Sequence, residues 1–330
     1  MLYLFYSTKE VMAINTKIGG LTKVEALESL LGRLPKNHPD REFLEIRLYR
    51  ASAGIRGESK MINKFKEFYI DEDFQPVWDL NMEIGNWAVQ MDGLLLTNRC
   101  AIILESKNIS DELHFDAAND EFYKKTFKEG NKITLENPVI QLKKHIRFLE
   151  RWLKSHKINL PVTGLIIFTA NQCEFHSKPS GASICKTYQM NQYLYHILEQ
   201  YPQEASSHKI SKIKKMILAN QIPFKKSPLC EFYHIDPKDI KTGVYCRGCK
   251  SYSMKRWHKT WQCSDCGFKD SGAAQFAVLE YFALIGNRIT NKQLRDFCHL
   301  ESPHAARRIL LQRELIPAGD LKSRSYSLGK

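Results

Sequence analysis

The chain has 330 residues, 26% charged and 43% hydrophobic, the balance of a globular protein long enough for two or three domains. With 17 Gly, 12 Pro and this apolar fraction, fibrous, collagen-like and wholly disordered architectures are excluded. The formal net charge of +13 lies in one part of the chain: residues 1–205 hold 26 Lys+Arg against 26 Asp+Glu, residues 206–330 hold 23 against 10. That asymmetry fits a polyanionic partner for the basic part, nucleic acid or an anionic membrane surface, and equally a merely soluble, lysine-rich tail; the motifs decide between them.

No stretch reaches the roughly 18 unbroken apolar residues of a membrane span; the nearest, Ala273 to Gly286, is interrupted by Glu280. The apolar opening Met1–Tyr6 has no basic flank and is too short for a secretory signal, so a cytoplasmic location is expected, with Met12 an alternative start to Met1. Of nine cysteines, Cys100 and Cys185 sit among apolar neighbours and read as buried small hydrophobes.

In chain order, an amphipathic helix is predicted from Thr22, its N-cap, to about Leu34, and a second starts near Pro39. Gly54 predicts a break, after which a helix carries Glu58, Met61, Ile62, Phe65 and Phe68. Three strands follow, Phe74–Asn81, Trp87–Thr97 and Ala101–Ile109, separated by Gly85–Asn86 and Asn98–Arg99. Leu113–Phe127 suggests a small hairpin insert. Asn137–Pro138 opens a long helix to about His156, with Val139, Leu142, Ile146, Leu149 and Leu153 buried, and Pro161–Thr169 reads as a buried strand. Helix, three-stranded meander, helix, strand is an α/β core. Residues 186–228 turn from helical to lysine-rich and linker-like, and a domain boundary is expected there.

The segment with the strongest chemistry is Asp92 on one strand and Glu105 with Lys107 on the next. Two residues apart on a strand, Glu105 and Lys107 share a face. Apolar Ile102, Ile103 and Leu104 bury that strand, and a buried carboxylate is costly unless paired or holding a metal. Asp92 reaches Glu105 across the hairpin, and two converging carboxylates suit a divalent hard cation, Mg²⁺ or Mn²⁺, shared with a phosphate. Lys107 beside them could orient or deprotonate an attacking water. The same residues would also fit a buried Glu105–Lys107 ion pair with an unrelated Asp92.

Asp-x(n)-Glu-x-Lys across two strands resembles the PD-(D/E)xK nuclease superfamily. More narrowly, LLGRLPKNHP from Leu30, then AGIRGE, QMDGLLLT, IILESKN and NPVIQLKKH, are similar to the nuclease-related domain, NERD, most specifically over residues 40–155. The resemblance implies a restriction-endonuclease-like fold, with Glu58, Asp92 and Glu105 around a metal, Lys107 at the attacking water and Gln141 at the position of a helical glutamine near the site. Met91 stands where the superfamily name has proline. On the helix of Gln141, Lys143, Arg147, Arg151 and Lys154 form a basic stripe, either a solvated face or a grip on DNA backbone.

Cys246-x-x-Cys249, thirteen residues, then Cys263-x-x-Cys266 gives two thiolate pairs that complete a tetrahedral, structural Zn²⁺ site, and resembles a zinc ribbon. Its connecting segment mixes Lys255, Arg256, Trp257 and Trp261, suiting phosphate neutralisation with base stacking, or a small core that claims one of the tryptophans. Beyond it, a helix from Ser271 to Ile285, a capped helix Thr290–His299, a helix Ser302–Leu315 and an alternating strand Leu321–Leu328 resemble a winged helix-turn-helix; a plain three-helix interaction domain is the other reading. Arg307 and Arg308 on the recognition helix, and Lys322 and Arg324 on the strand, would face nucleic acid.

The organisation expected is thus an N-terminal helical segment (1–53), a nuclease-like domain (54–205), a basic linker (206–240), a zinc ribbon (241–270) and a small, mainly helical nucleic-acid-binding domain (271–330). The function expected is metal-dependent hydrolysis of DNA, with RNA as another substrate; the alternative is an inactive DNA-binding or regulatory protein on a nuclease scaffold.

Overall fold

The computed structural model describes residues 17–116, 118–179, 181–201, 209–222, 227–258, 260–311, 315–320 and 323–329; Met12 and Lys322 lie outside them. The chain divides into two compact units, Ser52–Pro223 and Thr16–Ala51 with Phe224–Lys330. No helix of the described residues is long and apolar enough to cross a membrane.

The chain enters through a two-stranded pair, β1 (Lys17–Ile18) and β2 (Leu21–Thr22), and helix α1 (Lys23–Arg33). Thr22 and Glu25 form a capping box at its start, satisfying backbone donors that open a helix. Helix α2 runs unbroken over Arg41–Phe65, so the break predicted at Gly54 does not occur. Nothing packs within 4 Å of the Cβ position of Gly54. A lone helix glycine costs only about 1 kcal/mol relative to alanine, too little to interrupt a helix held by packing further along.

In the first unit, β3 (Phe74–Ile84), β4 (Trp87–Thr97) and β5 (Ala101–Lys107) form the antiparallel meander, and β5 pairs in parallel with β9 (Val162–Phe168). Between them, β6 (Asp111–Asp116), β7 (Glu121–Lys125) and β8 (Lys132–Leu135) precede helix α3 (Pro138–Ser155), which Asn137 caps. With β11 (Ser183–Lys186), the main sheet has the order β11-β9-β5-β4-β3. The predicted hairpin insert is larger: β10 (Cys173–Phe175) joins β6, β7 and β8 in a second, four-stranded sheet.

Side-chain alternation divides the central strands between two cores. Leu94, Leu96, Ile103 and Ile166 meet Phe148, Leu149 and Trp152 of α3. Leu95, Ile102, Leu104 and Leu165 meet Met61 and Phe65 of α2, with Leu194 and Ile197 of α4 (Met190–Glu199). A sheet buried on both faces needs such continuous apolar strands. Helix α5 (Ile210–Ala219) occupies part of the predicted linker, yet Ile210, Ile213 and Ile217 are buried in the first of these cores, each worth roughly 1.5–3 kcal/mol.

In the second unit, α6 (Leu229–Tyr233) precedes a sheet of β12 (Met254–Trp257), β13 (Thr260–Cys263) and β14 (Lys269–Asp270). Then come α7 (Ala273–Leu284), β15 (Ile289–Thr290), α8 (Asn291–Cys298), α9 (Pro303–Leu311), β16 (Leu315–Ala318) and β17 (Ser325–Leu328), with sheet order β15-β17-β16. Helix α7 is preceded by Gly272 rather than capped by Ser271, and α9 is shorter than predicted because Leu315 belongs to a strand. Met254, Trp261 and Cys263 share one core with Val278, Phe297, Ile309 and Tyr326, so the cysteine-bearing sheet and the helices after it fold as one body.

The buried Arg33 ties this unit together. Its guanidinium donates to both Glu280 oxygens (3.1 and 2.6 Å) and to the carbonyls of Lys241 and Gly243, between the rings of Tyr252 and Phe297. A buried ion is tolerated when so fully bonded, and the contacts place α1 beside residues more than two hundred positions later.

Candidate active site and metal centre

The carboxylates gather where the sheet is least regular. Val77 and Leu80 on β3, three apart, both enter the same core, as do Met91 and Leu94 on β4. Each strand therefore exchanges faces between those positions, and the residues at the exchange are Asp79 and Asp92. Asp79 has a φ of 49°, a left-handed conformation uncommon for a residue with a side chain. The next β4 position, Gly93, lies under the ring of Trp78, whose nearest atom is 2.7 Å from where a Cβ would stand.

On the other side of β4, the ladder with β5 runs as far as Gly93 opposite Leu104. At the next step the Asp92 carboxylate replaces the backbone acceptor: Oδ2 takes hydrogen bonds from the Ser106 N–H (2.8 Å) and hydroxyl (2.9 Å). Glu105 lies on the α3 face of β5, fully buried. Its Oε1 is 2.5 Å from Nδ1 of His145, while Oε2 accepts from Gln141 (3.3 Å) and stands 3.5 Å from Nζ of Lys107. With Glu105 ionised, Nδ1 is the protonated nitrogen of His145. Gln141 and His145, one turn apart on α3, thus clamp the two oxygens of one carboxylate.

Glu58 comes from α2, which is drawn to this end of the sheet by close contacts. A Cβ on Gly57 would meet Thr169 at 2.7 Å and Asn108 at 3.0 Å; Asn108 donates to the Ala53 carbonyl (2.7 Å), and Lys60 to that of Thr169 (3.0 Å). Burial first, then the charges of Asp92, Asp79 and Glu105, push the Glu58 carboxyl up to about 8, against the pull of Lys107. Burial and then Glu105 raise Asp92 to about 6, opposed by Lys107 and the Ser106 hydrogen bonds.

Residues 53–169 match the family of the nuclease-related domain, NERD. No curated protein and no solved structure matches the chain. The NERD match starts on α2 five residues before Glu58 and ends just beyond β9, so it contains all five predicted residues: Glu58, Asp92, Glu105, Lys107 and Gln141. The structure brings Gln141 and Lys107 onto the Glu105 carboxylate, with Asp92 held beside them by Ser106 and both Asp92 and Glu58 linked to Glu105 by charge. Two participants were not singled out by the sequence. His145 lies on the buried face of α3, where a histidine reads as part of the core; Asp79 lies inside an apolar strand, and its signal is only that an acid stands at a position of inward parity.

Oxygen donors carrying excess negative charge suit a hard divalent cation. The three predicted ligands do not, however, form a closed cage: among the described residues, the only group of three or more ligand-type side chains with atoms all within 4.8 Å of one another is Cys246, Cys249, Cys263 and Cys266.

The four cysteines come from two copies of one turn. The Lys250 N–H bonds the Cys246 carbonyl (2.8 Å) and the Gly267 N–H that of Cys263 (3.0 Å), with Lys250 and Gly267 both left-handed (φ 62° and 73°). Sulfur atoms pair across the turns, Cys246 with Cys266 and Cys249 with Cys263, each at 3.6 Å. Zn–S bonds of about 2.3 Å at tetrahedral angles require sulfurs about 3.8 Å apart, so this set fits Zn²⁺ with every position filled by protein.

Among the predicted nucleic-acid contacts, Lys143, Arg147, Arg151 and Lys154 lie exposed along α3, with Glu150 among them. Lys255 and Trp257 are exposed and Arg256 half-buried; Trp261 is the tryptophan that fills the core. On α9, Ala305, Ala306, Ile309 and Leu310 are buried and His304, Arg307 and Arg308 exposed, an amphipathic division with Leu311 exposed at its end. Arg324 is half-buried, its Nε without a hydrogen-bond partner among the described residues.

Proposed function

We propose that the chain is a divalent-metal-dependent nuclease that hydrolyses phosphodiester bonds in DNA, with the second unit holding the nucleic acid through a zinc ribbon and a winged helix. The observation that carries this reading is the meeting of Asp92, Glu105 and Lys107 at the irregular point of the sheet, inside the NERD match. Asp92 through Oδ1, Glu105 through Oε2 and Glu58 would hold Mg²⁺ or Mn²⁺, which when bound stabilises negative charge on the phosphate. Lys107 Nζ, beside Glu105 and partly open to solvent, would orient the attacking water, its ammonium stabilising the negative charge that develops as the water's proton passes to solvent. Gln141 and His145 fix the rotation of the Glu105 carboxylate so that Oε2 faces Lys107. The order helix, strand, two helices, hairpin, with β17 between β15 and β16, supports the winged-helix assignment, and the exposed face of α9 would enter a major groove.

A second reading has its own support. Both Glu105 oxygens are engaged by protein groups, as in a domain retained as a scaffold for DNA binding. Incubation of the chain with supercoiled plasmid, linear duplex and RNA, with Mg²⁺, with Mn²⁺ and with neither, separates the two. Metal-dependent cutting of DNA is expected, reduced on the order of 10²–10³-fold or more in Asp92→Ala and Glu105→Ala. Lys107→Met should lose roughly 10²–10⁴-fold while still binding the metal. Tight, salt-sensitive binding without cutting would establish the scaffold; equal cutting by parent and variants would exclude this site.

A further inference from the structure

Antiparallel partners point to the same side of a sheet. Lys255 is opposite Gln262, Trp257 opposite Thr260, and Gln262 opposite Lys269 across β12, β13 and β14. These five side chains therefore share one face. Met254, Arg256, Trp261 and Cys263 share the other, which packs into the core of the unit through Met254, Trp261 and Cys263. The outward face combines an aromatic, two lysines, a hydroxyl and an amide, with no acid at these positions.

Trp257 forms the last pair before the turn at His258 and is 56% exposed, against 2% for Trp261 one pair away. Lys255 and Lys269 are exposed and neither makes an ion pair or hydrogen bond among the described residues. Alternation also separates Arg256 from the group, so the cations of this hairpin are not equivalent.

We propose that this face binds an unpaired nucleic-acid strand, with a base stacked on Trp257, phosphates on Lys255 and Lys269, and Gln262 within reach of base edges. This deepens the reading above and rests on its choice of nucleic acid as partner. A flat face with an open aromatic ring suits an unstacked base, whose π-surface a duplex conceals, and backbone-tracking cations give affinity without sequence preference. The convex, arginine-bearing α9 suits duplex, and because both belong to one packed body the preferred ligand is a duplex that continues into a single strand.

Binding is measured by fluorescence anisotropy on the full-length Asp92→Asn chain, with zinc retained and no added divalent metal, so that cutting plays no part. The probes are oligothymidylate, oligouridylate, a blunt duplex and the same duplex with a single-stranded extension. The extension is expected to tighten binding, and Trp257→Ala to weaken oligothymidylate about tenfold or more while leaving the blunt duplex unchanged. Trp257→Phe should restore most of the loss, and Lys255→Ala and Lys269→Ala should each lower the salt slope by about 0.7. Comparison of the two oligonucleotides shows whether the sugar matters. Unchanged single-strand binding in Trp257→Ala with normal zinc content, or duplex binding with none to either oligonucleotide, would overturn the proposal. Failure to bind any probe would instead remove nucleic acid as the partner.

Discussion

The cysteine centre and the carboxylate centre solve opposite problems. In the first, four identical donors arrive on two copies of one turn, and their neighbour Ser251 is the only other polar side chain bonded to them among the described residues. In the second, donors come from a helix and two strands, and protein groups already share them: Ser106 holds Asp92; His145, Gln141 and Lys107 share Glu105. A structural centre needs only closure, whereas a catalytic one must leave an open position and still hold its charges before the ion arrives. In this chain hydrogen bonds hold Asp92 and Glu105 in place, and the raised proton affinities of Glu58 and Asp92 relieve the repulsion among the acids.

The largest effect expected from breaking this contrast is at the cysteines. Structural zinc contributes roughly 10–16 kcal/mol to small metal domains, comparable to or above the whole stability of a typical domain, about 5–15 kcal/mol. Since Cys263 also sits in the shared core, Cys263→Ser should cost the second unit its fold: zinc falls from one per chain to near none, and limited proteolysis leaves the Ser52–Pro223 unit alone. A variant that keeps both its zinc and its protease resistance would show that the centre is not structural.

A smaller and more local effect is expected at His145. Residues that orient a metal ligand typically contribute 10–100-fold in affinity. His145→Ala should weaken Mn²⁺ binding by about that factor, measured by calorimetry, and leave the zinc content unchanged. His145→Asn places an amide donor near the position of Nδ1 and should recover part of the loss. Equal Mn²⁺ affinity in the parent and His145→Ala would mean that Glu105 needs no help in keeping its orientation.

What the sequence discloses follows the same contrast. Local signals were legible: the Thr22 N-cap and the Thr290 capping box, the Asn137–Pro138 helix start, the three meander strands and the cysteine spacing are all where their residues put them. Each depends on neighbours within a few positions. The misses depend on distant ones. Residues 16–51 fold with the C-terminal part because Arg33 finds Glu280, and α5 joins the core of the first unit because its isoleucines meet the main sheet; no local pattern carries either fact. Gly54 misled because a weak local preference was outweighed by helix packing. In the site, Asp92, Glu105 and Lys107 follow from strand parity, but Asp79 enters only through a left-handed kink, and His145 is distinguished from a core residue only by the carboxylate it meets.

A further effect concerns pH and separates the charge balance of the carboxylate centre from its hydrogen bonds. Glu58 rises from an ordinary 4.5 to about 8 and Asp92 from 3.8 to about 6. An acid whose proton affinity is raised by folding keeps its proton in the folded chain after the unfolded chain has released it, so stability is greatest below the unfolded values and falls as the pH climbs from about 4 to about 8. The groups facing Glu58 are Asp92, Asp79, Glu105 and Lys107, three of them negative when ionised, so nothing local reverses the sign. Thermal unfolding of the chain without added divalent metal should therefore show a Tm that declines over that range, and Glu58→Gln should decline less. Saturating Mg²⁺ should oppose the decline, because a cation replaces the retained protons, and its stabilisation should grow with pH. If parent and Glu58→Gln trace the same curve and Mg²⁺ stabilises equally at pH 5 and pH 8, the carboxylates do not share one charge site, and the centre is a set of separate hydrogen-bonded pairs.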